Sequence, residues 1–263
     1  MDADRLRAEL AGRYAAVDVV ASTGSTNRDL AAAARDGAAD RTVLIADEQT
    51  AGQGRLARTW ASPPDAGLYL SVLLRLDMVP VVRLSWLAPL AGVALVRTAR
   101  FAGAEAVLKW PNDLLIGSAH GKGAGVLAEV GEGSAVVIGI GLNVLPVTDI
   151  EPGAGGLPAM SLAGAGATVL DRGALATRLL TELADLDDAW RTAGGDPDAS
   201  GLAEEYHACC DTFGQRVRVE LPTGALTGVA THLSPEGALV VRTDDGRDHP
   251  VSAGDVVHLR SAS

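Results

Sequence analysis

The sequence predicts an α/β protein of the α+β kind: a mixed β-sheet flanked by helices, followed by a small β-barrel module. Three observations carry this. Up to about residue 212, strand-like apolar runs are separated by helical patterns, the mark of an α/β domain. After Phe213 the texture changes to five short strands divided by tight turns. At 263 residues, 48% hydrophobic and 21% charged, the chain has ample length for a core, as a catalytic domain plus a small module. Boundaries of 1–212 and 213–263 follow.

The elements run in order. Leu6 to Leu10 suggests a short amphipathic helix, and Val17 to Ala21 a strand. An alanine-rich helix to Arg35 follows; Ser25 or Thr26 can cap it and Gly37 can end it. Thr42 to Ala46 is a strand leading into a polar, glycine-rich loop from Gln49 to Trp60, and Gly67 to Leu76 reads as a buried strand. Val81 to Phe101 is helical, with Pro89 either kinking it or opening its second half. Val107–Trp110, Leu114–Ile116, Gly125–Val130 and Ala135–Val144 are strand-like. Asp149 to Ala167, rich in glycine, proline and alanine, is expected to be a long functional loop. Asp171 can cap a helix in which Leu175, Leu179, Leu183, Leu186 and Trp190 share a face, and Leu202 to Cys210 forms another helix. The final strands are Val217–Leu221, Leu226–Leu233, Ala238–Thr243, Arg247–Val251 and Val256–Leu259.

The formal charge of −11 disfavours phosphate-backbone binding, which needs clustered cations, so no nucleic-acid partner is expected. The charged start lacks a signal core, no uninterrupted apolar run is of membrane-spanning length, and adjacent Cys209 and Cys210 suit packing better than a disulfide. The expectation is a cytoplasmic protein without a membrane partner. The five histidines show no metal spacing, Trp86 and Trp190 fit core positions, and the acidic run Glu182–Asp188 reads as a solvated helix face.

Only two of the twenty-two basic residues are lysines, Lys109 and Lys122. A lysine kept against that bias supplies what arginine cannot, a compact point charge on a flexible stem. Each lies in a cluster able to carry chemistry. Gly52-Gln53-Gly54-Arg55-Leu56-Ala57-Arg58-Thr59-Trp60 combines glycines that admit an anion, forked arginine donors and a flat indole. Alone it is equally a mobile surface loop. Lys109-Trp110-Pro111-Asn112-Asp113 sets a lysine, an aromatic and two oxygen-bearing side chains at a strand end, where α/β folds place ligands; otherwise it is an Asn-Asp turn. His120 to Glu129 holds Lys122 between glycines, and its plain alternative is a charged hairpin turn.

Together the clusters resemble the biotin–protein ligases, of the type lacking a DNA-binding domain. That family's marks stand here as Ser25-Thr26-Asn27, Gly52 to Arg58, Lys109 to Asp113, Lys122 to Leu127, and Gly139-Ile140-Gly141-Leu142-Asn143. Order and spacing hold to about Asn143, and continue more loosely through Ser161-Leu162 and the C-terminal module, which the resemblance makes SH3-like. Gln53 replaces the usual arginine, Ala57 a glycine and Gly123 a leucine. Gln53 removes a charge from the loop closing over the intermediate, and Ala57 stiffens that loop.

The resemblance implies a two-step reaction. Biotin's carboxylate attacks the α-phosphate of ATP to give biotinyl-5′-adenylate, and a lysine of a biotin carboxyl carrier domain then takes the biotinyl group. It implies Lys122, Arg55 and Asp113 as the catalytic set. Ser25, Thr26, Asn27, Gln49, Gly52, Gln53, Gly54, Arg55, Lys122 and Gly125 are implied to hold biotin. Arg55, Arg58, Trp60, Asn112, Lys122 and Asn143 are implied to hold ATP or the adenylate. Magnesium would enter with ATP near Asn112, with no metal site from protein alone. The partner is the carrier domain of a biotin-dependent carboxylase, and the ligase is a monomer or homodimer. Two alternatives stand beside this: a lipoate or octanoyl transferase of the same fold, and a DNA-binding repressor responding to the adenylate.

Overall fold

The computed structural model describes residues 1–147, 156–221, 224–252 and 254–259. The apolar runs of the first part form strands β1 (Ala16–Thr23), β2 (Thr42–Gln49), β3 (Gly67–Arg75), β4 (Ala106–Lys109), β5 (Asp113–Ile116), β6 (Gly121–Val130) and β7 (Ala135–Asn143). They build one sheet in the order β1-β2-β3-β7-β6-β5-β4. Only β1 and β2 pair in parallel, so the sheet is mixed. Helices are α1 (Ala3–Glu9), α2 (Thr26–Arg35), α3 (Leu87–Phe101), α4 (Arg172–Thr192) and α5 (Leu202–Cys209).

The two-residue period of a strand assigns the faces. In β3 and β7 the even positions Leu68, Leu70, Val72, Val136, Ile138 and Ile140 enter the main core with α3 and α4. The odd positions Leu73, Ala135 and Val137 pack with Leu30 of α2 in a smaller cluster. Because both faces are covered, β3 is buried from Gly67 to Leu74 and its sequence is nearly all apolar. The α2 cover runs out beyond Leu73 and Val137, and there the odd positions become Ser71, Gly139 and Gly141. That uncovered end of the face is the candidate site.

Several elements differ from expectation. β6 begins at Gly121 rather than Gly125, which puts Lys122 inside a strand and not at a turn. Val81–Phe101 is a 3-10 turn, Val81–Trp86, continued by α3; Pro89 lies in the first turn of α3, where no intrahelical bond is lost, and so opens that half. This segment of 21 residues is apolar enough to cross a membrane on length and composition, yet most of it is buried in the core. Ser25 holds the N-cap position of α2 in extended conformation, but its side chain caps nothing. Asp171 does cap α4, accepting from the Ala174 amide at 2.7 Å. Of the expected long loop, residues 148–155 lie outside the described residues. The rest docks onto the sheet: the Lys122 amide donates to Pro158 O at 2.8 Å and the Met160 amide to Lys122 O at 2.9 Å.

The acidic run on α4 is not simply a solvated face. Asp185 and Asp188 are exposed, but Glu182 and Asp187 are buried, because arginines from other elements and from α4 itself meet them. Glu182 accepts from Arg97 at 2.6 Å, and Asp187, 1% exposed, accepts from Arg41 at 2.6 Å and Arg191 at 2.8 Å. Asp187→Ala leaves two arginines without their shared anion and is expected to cost about 3 kcal/mol of stability, read by urea denaturation. Trp86 and Trp190 are buried as their positions suggested. Cys209 and Cys210 are buried free thiols, and burial pushes the Cys209 thiol up to about 12.

The last strands, β8 (Arg216–Leu221), β9 (Gly224–Leu233), β10 (Leu239–Arg242), β11 (Asp248–Val251) and β12 (Asp255–His258), form an antiparallel sheet ordered β11-β10-β9-β8-β12, consistent with an SH3-like module. Val217 and Val219 point inward between exposed Arg216, Arg218 and Glu220. The module leans on the first part through Pro235 O, which accepts from Trp86 Nε1 at 2.9 Å and Arg83 Nη1 at 2.7 Å.

Candidate functional site

A cavity of about 540 Å³ opens on the α2 face of the sheet, within the size range of small-molecule sites. Its floor is β6 and β7, where Gly125 pairs with Gly141 and Leu127 with Gly139. These glycines are a requirement of space. A Cβ at Gly141 would lie 2.4 Å from Trp60 Nε1, and one at Gly139 would lie 2.2 Å from Asn27 Oδ1. Trp60 thus lies against bare backbone. Its Nε1 is buried with no hydrogen-bond partner among the described residues, an orphan donor that costs stability.

The N-terminus of α2 delivers Ser25, Thr26 and Asn27, all buried, into this cavity. They belong to a polar network with Gln49 at the end of β2. Gln49 Oε1 accepts from the Thr26 amide at 3.0 Å, and Gln49 Nε2 donates to Ser62 Oγ at 3.0 Å. Ser71 Oγ lies 2.7 Å from Thr26 Oγ1 and 2.6 Å from Asn27 Oδ1. Asn27 Nδ2 donates to Glu129 Oε2 at 2.7 Å.

At the opposite end the cationic groups gather. Lys122 Nζ lies 2.7 Å from Asp113 Oδ1, as an ion pair rather than an aligned hydrogen bond, and 5.5 Å from the centre of the Trp60 ring. Lys109 is 5% exposed; burial pushes its ammonium pKa down, and Asp113 opposes that shift. Arg55 reaches Asn112 Oδ1 at 3.5 Å, and burial lowers its pKa while it stays charged. Asn112 Nδ2 is tied to Val126 O at 2.8 Å, which leaves its oxygen on the Arg55 side. Asn143 Nδ2 donates to Met160 O at 3.0 Å, fastening the 158–160 segment to the end of β7. The arrangement concentrates four cations and two carboxylates at one end of a slot whose other end is lined by uncharged hydrogen-bonding groups. It can hold an anion beside an uncharged polar ring.

The cavity brings together every sequence-derived candidate except Gly52. Gly52 sits behind the lining, where a Cβ would come 2.6 Å from Trp60 O, so it lets the loop close on itself. Arg58 is paired with Asp255 of β12, 197 residues away. Gly139, Gly141 and Asp255 line the cavity without having been singled out for binding, and so does Lys109, which the sequence marked but gave no binding role. The Gly-Ile-Gly run carried the signal for two of them; nothing in the sequence pointed to Asp255.

Leu56 and Ala57 both adopt positive φ, +55° and +56°. This region favours glycine, so Ala57 holds the loop in a conformation its Cβ opposes. Ala57→Gly is expected to relieve about 1 kcal/mol and slow tryptic cleavage after Arg55 and Arg58 several-fold. Faster cleavage would show that backbone freedom outweighs strain.

A family model described as the biotin/lipoate A/B protein ligase family matches residues 19–143, and one described as the biotin protein ligase C terminal domain matches residues 212–259. This chain belongs to the biotin protein ligase family. It is 43% identical to the biotin--[acetyl-CoA-carboxylase] ligase of Mycobacterium tuberculosis, across 99% of this chain and 96% of that one. It is 33% identical to the bifunctional ligase/repressor BirA of Bacillus spizizenii, across 92% of this chain and 73% of that protein. In structure it is similar to the biotin protein ligase from Aquifex aeolicus in complex with biotin and ATP. The TM-score is 0.76 and the identity 25%, over 94% of this chain and all of that one.

Proposed function

We infer that this chain activates biotin with ATP to form biotinyl-5′-adenylate and transfers biotin to a lysine of the carrier domain of a biotin-dependent carboxylase. The observation that carries this is the polarised cavity, cationic around Lys122 and lined by uncharged polar side chains around Asn27. The matching relatives are named for the same chemistry.

Biotin lies with its ureido ring among Ser25, Thr26, Asn27 and Gln49, short polar groups suited to a planar unit with two donors and one strong acceptor. Gln53, Gly54 and Gly125 border it. Its carboxylate reaches Lys122 and Arg55. The α-phosphate of ATP meets it there, and Lys122 lowers the repulsion between two anions at the forming bond. Arg58, Trp60 and Asn143 bound the nucleotide side. Asn112 fits as one oxygen ligand for magnesium carried by the triphosphate, which neutralises phosphate charge; magnesium commonly takes few protein ligands. In the second step Asp113 orients the incoming lysine amine or accepts its proton. The amine nitrogen bonds to the carbonyl carbon of the mixed anhydride, and AMP leaves. Closure of the Gly52–Trp60 loop keeps water from that anhydride. The polar network favours this reading over a lipoate or octanoyl transferase, whose acyl chain offers nothing to its donors and acceptors.

Incubation with ATP, magnesium, biotin and an acceptor carrier domain is expected to add one biotin to one lysine of the carrier, read by mass spectrometry. An unmodified carrier alongside intact ATP would refute the reading.

A further inference from the structure

Two residues outside the cavity lining control the part of the site that reads a ureido ring. Ser71 is fully buried on β3, and Glu129 is an exposed residue on β6. Both bond to the side-chain amide of Asn27, from opposite sides. Glu129 Oε2 accepts from Asn27 Nδ2 at 2.7 Å, and Leu127 O accepts from the same nitrogen at 3.3 Å. A carboxylate only accepts, so it forces the NH₂ end of the amide toward itself. The oxygen end then faces Ser71 Oγ at 2.6 Å; an amide oxygen only accepts, so Ser71's single proton goes to it, and the Thr26 hydroxyl, 2.7 Å from Ser71 Oγ, takes the donor role toward Ser71.

An unheld asparagine amide can turn half a revolution about its last bond and exchange donor for acceptor. Here that turn would face an NH₂ group to the Ser71 hydroxyl and an oxygen to the Glu129 carboxylate. The held orientation puts Oδ1 over the bare backbone of Gly139, which lines the cavity. A carbonyl oxygen has two lone pairs, and Ser71 uses one. The other is available to an N–H donor of a ligand.

We propose that Glu129 and Ser71 are positioning residues that lock the Asn27 amide with its oxygen toward the cavity, and thereby set selection for a ligand that presents ureido N–H donors. This rests on the biotin reading above and goes beyond it in naming groups that touch no substrate.

The test compares Glu129→Leu, Ser71→Ala and Glu129→Gln with the parent protein. KM for biotin and for ATP is followed by pyrophosphate release, and binding of biotin and of desthiobiotin, which keeps the ureido ring without the sulfur, by calorimetry. Glu129→Leu and Ser71→Ala are expected to raise KM for biotin about tenfold, as for loss of one oriented hydrogen bond, and to weaken desthiobiotin equally. KM for ATP should stay within about twofold. Glu129→Gln retains an acceptor oxygen and should stay within about threefold of the parent. Glu129 is at the surface, so its variants keep the test open even if Ser71→Ala disturbs the core. The proposal is overturned if KM for biotin is unmoved in Glu129→Leu, if ATP is affected as strongly, or if Glu129→Gln fails to rescue. A parent protein that binds no biotin would instead remove the reading beneath it.

Discussion

Lys122→Ala is expected to slow pyrophosphate release from ATP and biotin by about 10²- to 10³-fold, or about 3 to 4 kcal/mol of transition-state stabilisation. On the proposed reading the bond to be made joins two anions, with the ammonium at 122 between them. At Lys122, β6 pairs with β5 on one side and with residues 158–160 on the other, where the Lys122 backbone bonds to the Pro158 and Met160 backbones. The sheet fixes the root of the side chain, and Asp113 and the Trp60 ring flank its ammonium. Lys122→Arg should recover little. A guanidinium is planar and larger than an ammonium, and the space around Nζ is bounded by Asp113 and the Trp60 ring. Full activity in Lys122→Ala, measured with saturating biotin and ATP, would remove the electrostatic account.

The second large effect is on transfer. Asp113→Asn is expected to reduce movement of biotin from preformed adenylate to the carrier lysine by about 10²- to 10⁴-fold, while adenylate formation suffers less. Asp113 is 6% exposed and is the carboxylate against Lys122. The amide variant keeps the shape and removes both the proposed acceptor for the amine's proton and the negative charge beside Lys122. Single-turnover measurements with isolated adenylate separate the steps. An equal loss in both would assign Asp113 to holding Lys122 in place and leave amine activation to another group.

Much of this was legible in the sequence because strands and tight motifs are local. The continuous apolar runs predicted β3 and β7, the spacing of Leu175 to Trp190 predicted α4, and Lys109 to Asp113 and Lys122 stood out as contiguous segments. What was not legible depends on pairing across the chain. The start of β6 at Gly121 is set by hydrogen bonds to β5 and to residues 158–160, so Lys122 looked like a turn residue. Burial of Glu182 and Asp187 requires Arg97 and Arg41 from elsewhere in the chain, beside Arg191 on the same helix, and a carboxylate on a helix otherwise reads as solvated. Asp255 reaches the glycine–arginine loop only because the C-terminal module folds back over the cavity. Ser71 looked like one polar residue within a buried strand, and its partners on α2 gave it meaning.

The activation chemistry is tested most directly by incubating the protein with ATP, magnesium and biotin in the absence of any carrier and separating the nucleotides by chromatography. Pyrophosphate and biotinyl-5′-adenylate are expected in equal amounts, with the adenylate retained on the protein. Release of ADP and orthophosphate, or nucleotide left uncleaved beside bound biotin, would contradict an attack on the α-phosphate.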